Sequence, residues 1–257
     1  MRPPRPADTP FPAPAASSKP EAPPMAPAEM IRRIAAKEDE MARAFVGYTL
    51  QKSIRIEEIG PDNKPSGQME VVLHQSFGPD GKLSEKPVRR SKSTLAHLDL
   101  QRGDSALTAQ TPLFPLVTAQ LPKYEIKFEG TQPLDELSAY FFTVKPRALD
   151  RAHAYFSGTI WVEQQDMVIV KMMGKWVTET GDVTSADLPF SVFETYRQQV
   201  GKDKWFPAYS RSDESMSDGN TRIPIRMIIR WTDYAPLGAP VLAQPTPPAD
   251  ATNPGKP

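Results

Sequence analysis

The sequence contains no cysteine, so no disulfide, thiolate nucleophile or cysteine-based zinc site can form. Histidine is scarce: His74, His97 and His153 stand far apart, and no HExxH, GxSxG, Walker or GxGxxG pattern occurs. Net charge is zero, with 31 basic and 31 acidic side chains interspersed, which argues against a nucleic-acid partner. No apolar run approaches the ~20 residues of a membrane-spanning helix, and no apolar core of a signal peptide is present. The chain begins directly in a proline-rich stretch, a start shared by processed or truncated exported proteins and by cytosolic proteins with a disordered head.

Proline, by contrast, is abundant and unevenly placed. Of 29 prolines, ten fall in Met1 to Pro27 and seven in Pro236 to Pro257. Both ends read as extended, solvated tails without enough apolar surface to offset the entropy of ordering. The expected organisation is a proline-rich head over residues 1–27, one domain over 28–237, and a proline-rich tail over 238–257.

Within the domain one helix is expected, from Ala28 to Val46. Ile31, Ile34, Met41 and Phe45 mark its apolar face, with Glu38 at the skipped position and Gly47 as the stop. Glu38, Asp39 and Glu40 read as a charged helix face. Alternation then takes over. Tyr48, Leu50, Ile54 and Ile56 form one apolar strand face, and Met69, Val71, Leu73 and Phe77 another. Gly60–Gly67 and Gly78–Gly81 separate these runs as turns. Val88 to Lys92, the densest basic cluster, reads as a solvated turn. Ser93–Leu98 and Leu116–Leu121 each have room for a helical turn or two.

Lys123 to Glu129 is the cleanest strand, with Tyr124, Ile126 and Phe128 inward. Tyr155 to Val177 reads as a hairpin, with Phe156, Gly158, Ile160 and Val162 on one face and a polar turn before Met167. After a polar loop, strands are expected at Ser191–Val200, Lys204–Arg211 and Thr221–Trp231. In the last, Ile223, Ile225, Met227, Ile229 and Trp231 share a face opposite Arg222, Arg226 and Arg230. Pro224 cannot donate to a ladder, so this strand begins at an edge or has one free side.

Nine or ten strands with one apolar and one polar face indicate an antiparallel sheet wetted on one side. A twisted sheet of that size must curl, split or close. The fold class is α+β, mainly β: a curled antiparallel sheet, or half-open β-barrel, covered by the N-terminal helix and further short helices. One helix of about 19 residues spans only ~28 Å, and nine strands at ~4.8 Å run to ~40 Å before curling. A second lid element or a ligand must therefore contribute, unless the sheet closes on itself.

No catalytic constellation stands out, and no cofactor is implied. The His97–Asp99 pair reads as surface residues rather than metal ligands, and Arg102-Gly103-Asp104 as a turn. The aromatic and methionine positions on the strands form either a filled core or an acyl-chain cavity. Burying roughly a dozen methylenes at ~0.8 kcal/mol each gives on the order of ten kcal/mol before binding costs.

Five segments in fixed order, MIRRIAAKEDEMARAFVGYTLQKSIRI, LPKYEIKFEG, YFSGTIWVEQQDMVIVKMMGKWV, FETYRQQVGKDKWFPAYSRSDE and IRMIIRWTDY, resemble the outer-membrane lipoprotein-sorting family, the LolA/LolB-like proteins. The resemblance covers about Ala28 to Leu237. It implies a half-open barrel with a helical lid and no enzymatic activity. It also implies a periplasmic or outer-membrane-associated location and a monomer. Its partner is then a lipid or lipoprotein acyl chain, with an envelope protein as a further partner. The cavity-lining candidates are Phe156, Ile160, Ile223, Ile225, Met227 and Ile229. The alternative is an envelope sensor or interaction module on the same scaffold, with a filled core and no lipid cargo.

Overall fold

A computed structural model describes residues 23, 25–78, 80–98, 113–134, 137–182, 190–219 and 221–238. The head and tail beyond these, together with Asp99 and the Arg102-Gly103-Asp104 turn, lie outside the described residues.

Among the described residues one α-helix, α1 (Pro27–Phe45), precedes eleven strands. Pro27 stands in the first turn, where its missing N–H is no loss. The strands are β1 (Tyr48–Ile59), β2 (Pro65–Phe77), β3 (Leu83–Arg90), β4 (Tyr124–Leu134), β5 (Leu137–Pro146), β6 (Tyr155–Glu163), β7 (Ile169–Thr178), β8 (Gly181–Asp182), β9 (Val192–Val200), β10 (Lys204–Asp218) and β11 (Thr221–Pro236). Of the two stretches with room for helical turns, the second holds a 3-10 helix at Thr118–Lys123. The first, Ser93–Leu98, is a bent, irregular segment.

All pairings are antiparallel in a single sheet of order β3-β2-β1-β11-β10-β9-β7-β6-β5-β4, with the short β8 on β7. Among the described residues β3 and β4 are not paired with each other, so the curled sheet is unclosed. Chain neighbours pair almost throughout. The long-range exception is β1 on β11, which joins the N-terminal hairpins to the end of the meander.

One sequence expectation changes here and another is met in its second form. The basic stretch read as a turn is the end of β3, an edge strand whose polar residues and Pro87 hide any alternation. The strand carrying Pro224 lies between β1 and β10 rather than at an edge, yet Pro224 itself has the expected free side. Proline is tolerated because the β1 ladder ends one residue earlier, at Glu58 opposite Ile225, leaving Pro224 paired only with Ser215 of β10.

The outer face of the middle strands is charged. Arg226 bridges Asp213 at 2.8 Å and Glu57 at 3.5 Å, and Arg230 lies 5.4 Å over the Tyr209 ring. Asp213 is half-buried, which by itself pushes its carboxyl up. Arg211 and Arg226 outweigh that and hold it below the ordinary value.

Candidate functional site

The concave face of the sheet is the candidate site, and register defines it residue by residue. Side chains directly opposite across paired strands point to the same face. One such row crosses all ten strands of the path: Phe128, Phe142, Ile160, Met172, Thr195, Ser210, Ile229, Ile54, Val71 and Arg90. Apart from Arg90 at the β3 edge it is apolar on both flanks, and it is polar at its centre, where the Thr195 and Ser210 hydroxyls lie 2.9 Å apart.

α1 covers one flank. Met30 and Ile34 sit in a cluster with Tyr124, Phe142, Phe156, Ile160 and Trp176. The cluster is rich in rings: Phe128 packs edge-on against Phe142, and Phe156 lies 5.7 Å from Trp176. The ring of Phe156 fits because Gly174, directly opposite Gly158, carries no side chain. A Cβ on Gly174 would stand 2.9 Å from that ring and 2.4 Å from the Ser157 carbonyl. Farther along α1, Met41 and Phe45 pack in a second cluster with Trp205, Phe206 and Trp231.

A buried ion pair fixes α1 above the polar centre. Glu38 and Arg197 are both almost wholly buried, and Arg197 donates to the two Glu38 oxygens at 2.5 and 3.1 Å. Arg197 also donates to the Leu113 carbonyl at 2.8 Å and lies over the Phe114 ring. Glu38 is thus not part of a solvated charged face. Its place within the apolar stripe of α1 was the signal, because a charge there must meet a buried partner. Nearby, Ser212 Oγ is fully buried and has no hydrogen-bond partner among the described residues.

The opposite flank, β2-β1-β11, belongs to a different cluster, dominated by aliphatic and methionine side chains: Ile54, Ile56, Met69, Val71, Leu73, Ile225 and Met227. Its covers are not helical. Leu95 and Leu98 of the irregular segment after β3 pack on it, as does Phe190, and Phe193 of β9 joins it from the sheet. That segment runs first along β2, where Ser91 and Thr94 donate backbone N–H groups to Glu70 and Gln68. It then crosses Gly67, whose lack of a side chain admits the Thr94 carbonyl; a Cβ there would meet it at 2.5 Å.

Two carboxylates on the rim tether these covers. Glu58, opposite Ile225 on β11, is buried yet accepts hydrogen bonds from three consecutive amides: Ala96 at 3.0 Å, His97 at 2.7 Å and Leu98 at 3.0 Å. The His97 ring nitrogen Nδ1 adds a contact at 3.2 Å. Burial alone raises the Glu58 pKa, but these amides and the ring together hold it below the ordinary 4.5. Glu214, on the other side of Ile225, accepts from Ser191 Oγ at 3.0 Å, next to Phe190.

The six candidate residues therefore share the concave face but not one compartment. Phe156 and Ile160 lie under α1. Ile225 and Met227 are buried in the aliphatic cluster, with Ile223 and Ile229 half-buried against it. The polar centre separates the two groups. Among the described residues no group of three or more His, Asp or Glu is placed to hold a metal ion, and no helix is long and apolar enough to cross a membrane.

No protein-family model matches the chain, and no curated protein does. Among solved structures the chain is similar to a DUF1329 family protein from Desulfovibrio piger, at 11% identity and a TM-score of 0.41, over 84% of this chain and 95% of that one. It is also similar to a LolA superfamily protein from Nitrosomonas europaea, at 15% identity and a TM-score of 0.37, over 79% and 92%. A third is the MucA/MucB complex of Pseudomonas aeruginosa, at 11% identity and a TM-score of 0.24, over 81% and 98%. The family expected from the sequence is among these names. At these identities and scores nothing about activity, cargo or partner passes from them to this chain.

Proposed function

We propose that this chain is a non-enzymatic periplasmic or outer-membrane-associated binding protein. It holds a lipid or lipoprotein acyl chain against the concave face of its sheet and releases it to a partner without chemistry. The observation that carries the reading is the inner row, largely apolar on both flanks, whose covers meet it through side chains and polar tethers, with backbone pairing only where Ser91 and Thr94 run along β2. Such covers can lift without breaking the sheet. Release then requires parting the cover, not unfolding.

The test is titration with a fluorescent fatty acid, expected to bind with roughly micromolar affinity, well within what burial of a dozen methylenes supports. Ile160→Trp and Ile225→Trp fill the two flanks separately. Loss of binding in one and not the other identifies the flank that holds the chain. A wild type that takes up no aliphatic probe overturns the reading.

One observation favours a second reading, an envelope sensor or interaction module with a filled core. Phe156 and Ile160 are 3% and 0% exposed, and the Phe156 ring already occupies the slot over Gly174. Native mass spectrometry of protein from envelope extracts separates the two. A co-purifying lipid supports the carrier, and a clean apo mass with a bound envelope protein supports the module.

A further inference from the structure

The two flanks of the concave face are closed by different means, and only one closure has a simple latch. On the helix side, α1 is anchored by apolar side chains along its whole length and by the buried Glu38–Arg197 pair. On the other side, Ser93–Leu98 has no regular structure and contributes only Leu95 and Leu98 to the cluster it covers. A backbone crossing an apolar face must find partners for its N–H groups. Here three successive donors, Ala96, His97 and Leu98, all turn to a single acceptor group, the Glu58 carboxylate. A carboxylate offers about four lone-pair sites in one plane, which suits such a cluster of amides.

We propose that Ser93–Leu98 is a strap latched by Glu58, and that its release opens the aliphatic flank, formed by Ile54, Ile56, Met69, Val71, Ile225 and Met227, to an unbranched aliphatic chain. This rests on the binding reading above and adds the entry route and its control. Leu95 and Leu98 occupy in the closed state the surface that the chain takes in the open state, so the strap competes with the ligand. On the strands β2, β1 and β11 this flank carries no ring, only aliphatic and methionine side chains, which matches an aliphatic occupant, and Met69 and Met227 can adapt to a chain's path. The hinge lies where the segment leaves β2, after the Thr94 amide bonds to Gln68. His97 links the strap to the end of β10, with Nε2 3.9 Å from Asp218. The strap therefore spans the mouth of this flank from β2 to β10.

Glu58→Gln tests the latch, since the amide keeps the shape but places an N–H₂ where an acceptor oxygen stood. Stopped-flow binding of parinaric acid and amide exchange at residues 96–98 are read on the full chain. The expected result is association about tenfold faster than wild type, a factor corresponding to ~1.4 kcal/mol in the barrier. Exchange should accelerate at the three amides and stay unchanged in α1. Leu98→Ala loosens the same strap without touching the carboxylate and should act in the same direction, so the test survives if Glu58→Gln fails to fold. Unchanged association in a folded Glu58→Gln or Leu98→Ala protein, with the wild type still binding probe, overturns the strap and leaves the binding reading standing. A wild type that binds no probe overturns both.

Discussion

The flank beneath α1 and the flank beneath the strap share one sheet face and one register row, yet they are built from different chemistry. The first is ringed by Phe128, Phe142, Phe156 and Trp176 and closed by a helix whose apolar stripe follows the turn of the helix. The second is aliphatic on its sheet side and closed by irregular backbone tied to a carboxylate. A helix satisfies its own backbone groups and needs only an apolar stripe to cover a sheet. A strap must borrow acceptors from what it covers, so its attachment is polar and local. The difference teaches where this fold yields first: at the cover whose crossing backbone is tied through the single carboxylate of Glu58.

The largest effect should come from severing the buried tie of the helix side. Arg197→Ala leaves Glu38 buried without a counter-charge and should cost about 3–5 kcal/mol, and Glu38→Met with Arg197→Met should recover most of that loss. Urea denaturation of the single and double variants checks both halves of the statement. If the single variant is as stable as wild type, the pair does not hold α1 down.

Gly174→Ala should cost about 1–3 kcal/mol through overpacking, since its new Cβ meets the Ser157 carbonyl and the Gly158 Cα at 2.4 and 2.7 Å. The damage should stay on the helix side. Methyl shifts of Ile160 are expected to move and those of Ile56 to remain in place. Equal shifts in both would mean that the two flanks are one packed unit.

The strap side should respond to acid. Because the folded-state pKa of Glu58 is held below 4.5 by the strap amides, its stabilising effect is complete above the unfolded carboxylate value. It is lost as pH falls through the lowered folded value. Around it stand His97, Asp218 beyond the His97 ring, and Glu214 across Ile225. NMR should show the Leu98 methyls titrating together with the Glu58 carboxyl carbon, while Met30 and Ile34 under α1 keep their shifts. A Leu98 signal indifferent to that titration would break the contrast.

The smallest effect is expected at the exposed face of the edge strand β4. Glu125→Lys should change stability by less than ~0.5 kcal/mol, whereas Ile126→Asp, on the half-buried inner face, should cost more than ~1 kcal/mol. Thermal melts of the two variants calibrate the face assignment on which the whole row depends.

Local pattern in the sequence was enough for much of this. The period of two in Met69–Phe77, Lys123–Glu129 and Thr221–Trp231 specified strands and their inner faces, because pleated backbone sends neighbouring side chains to opposite sides. The apolar stripe from Ile31 to Phe45 specified α1 to within a residue at each end. Such signals are contained in a few consecutive residues and need no partner to be read. β3 was not legible, since an edge strand with both faces wet has no alternation to show. The common sheet face of Phe156, Ile160, Ile225 and Met227 was legible, but their division between two clusters was not. That division depends on which cover lies over each flank.

Only the tertiary structure decided that β11 pairs with β1, that Glu38 meets Arg197 across 159 positions of chain, and that Glu58 receives the amides of residues 96–98. Each of these joins segments whose own residues are compatible with many partners. Pairing register and charge matching are properties of two surfaces brought together. The sequence alone settled that Glu38 interrupts the apolar stripe of α1, while the burial of Glu38 and Glu58 came with the fold. Which donors would meet them was settled when the sheet curled and brought Arg197 and the strap within reach, because a buried carboxylate must find its donors wherever the closed fold places them.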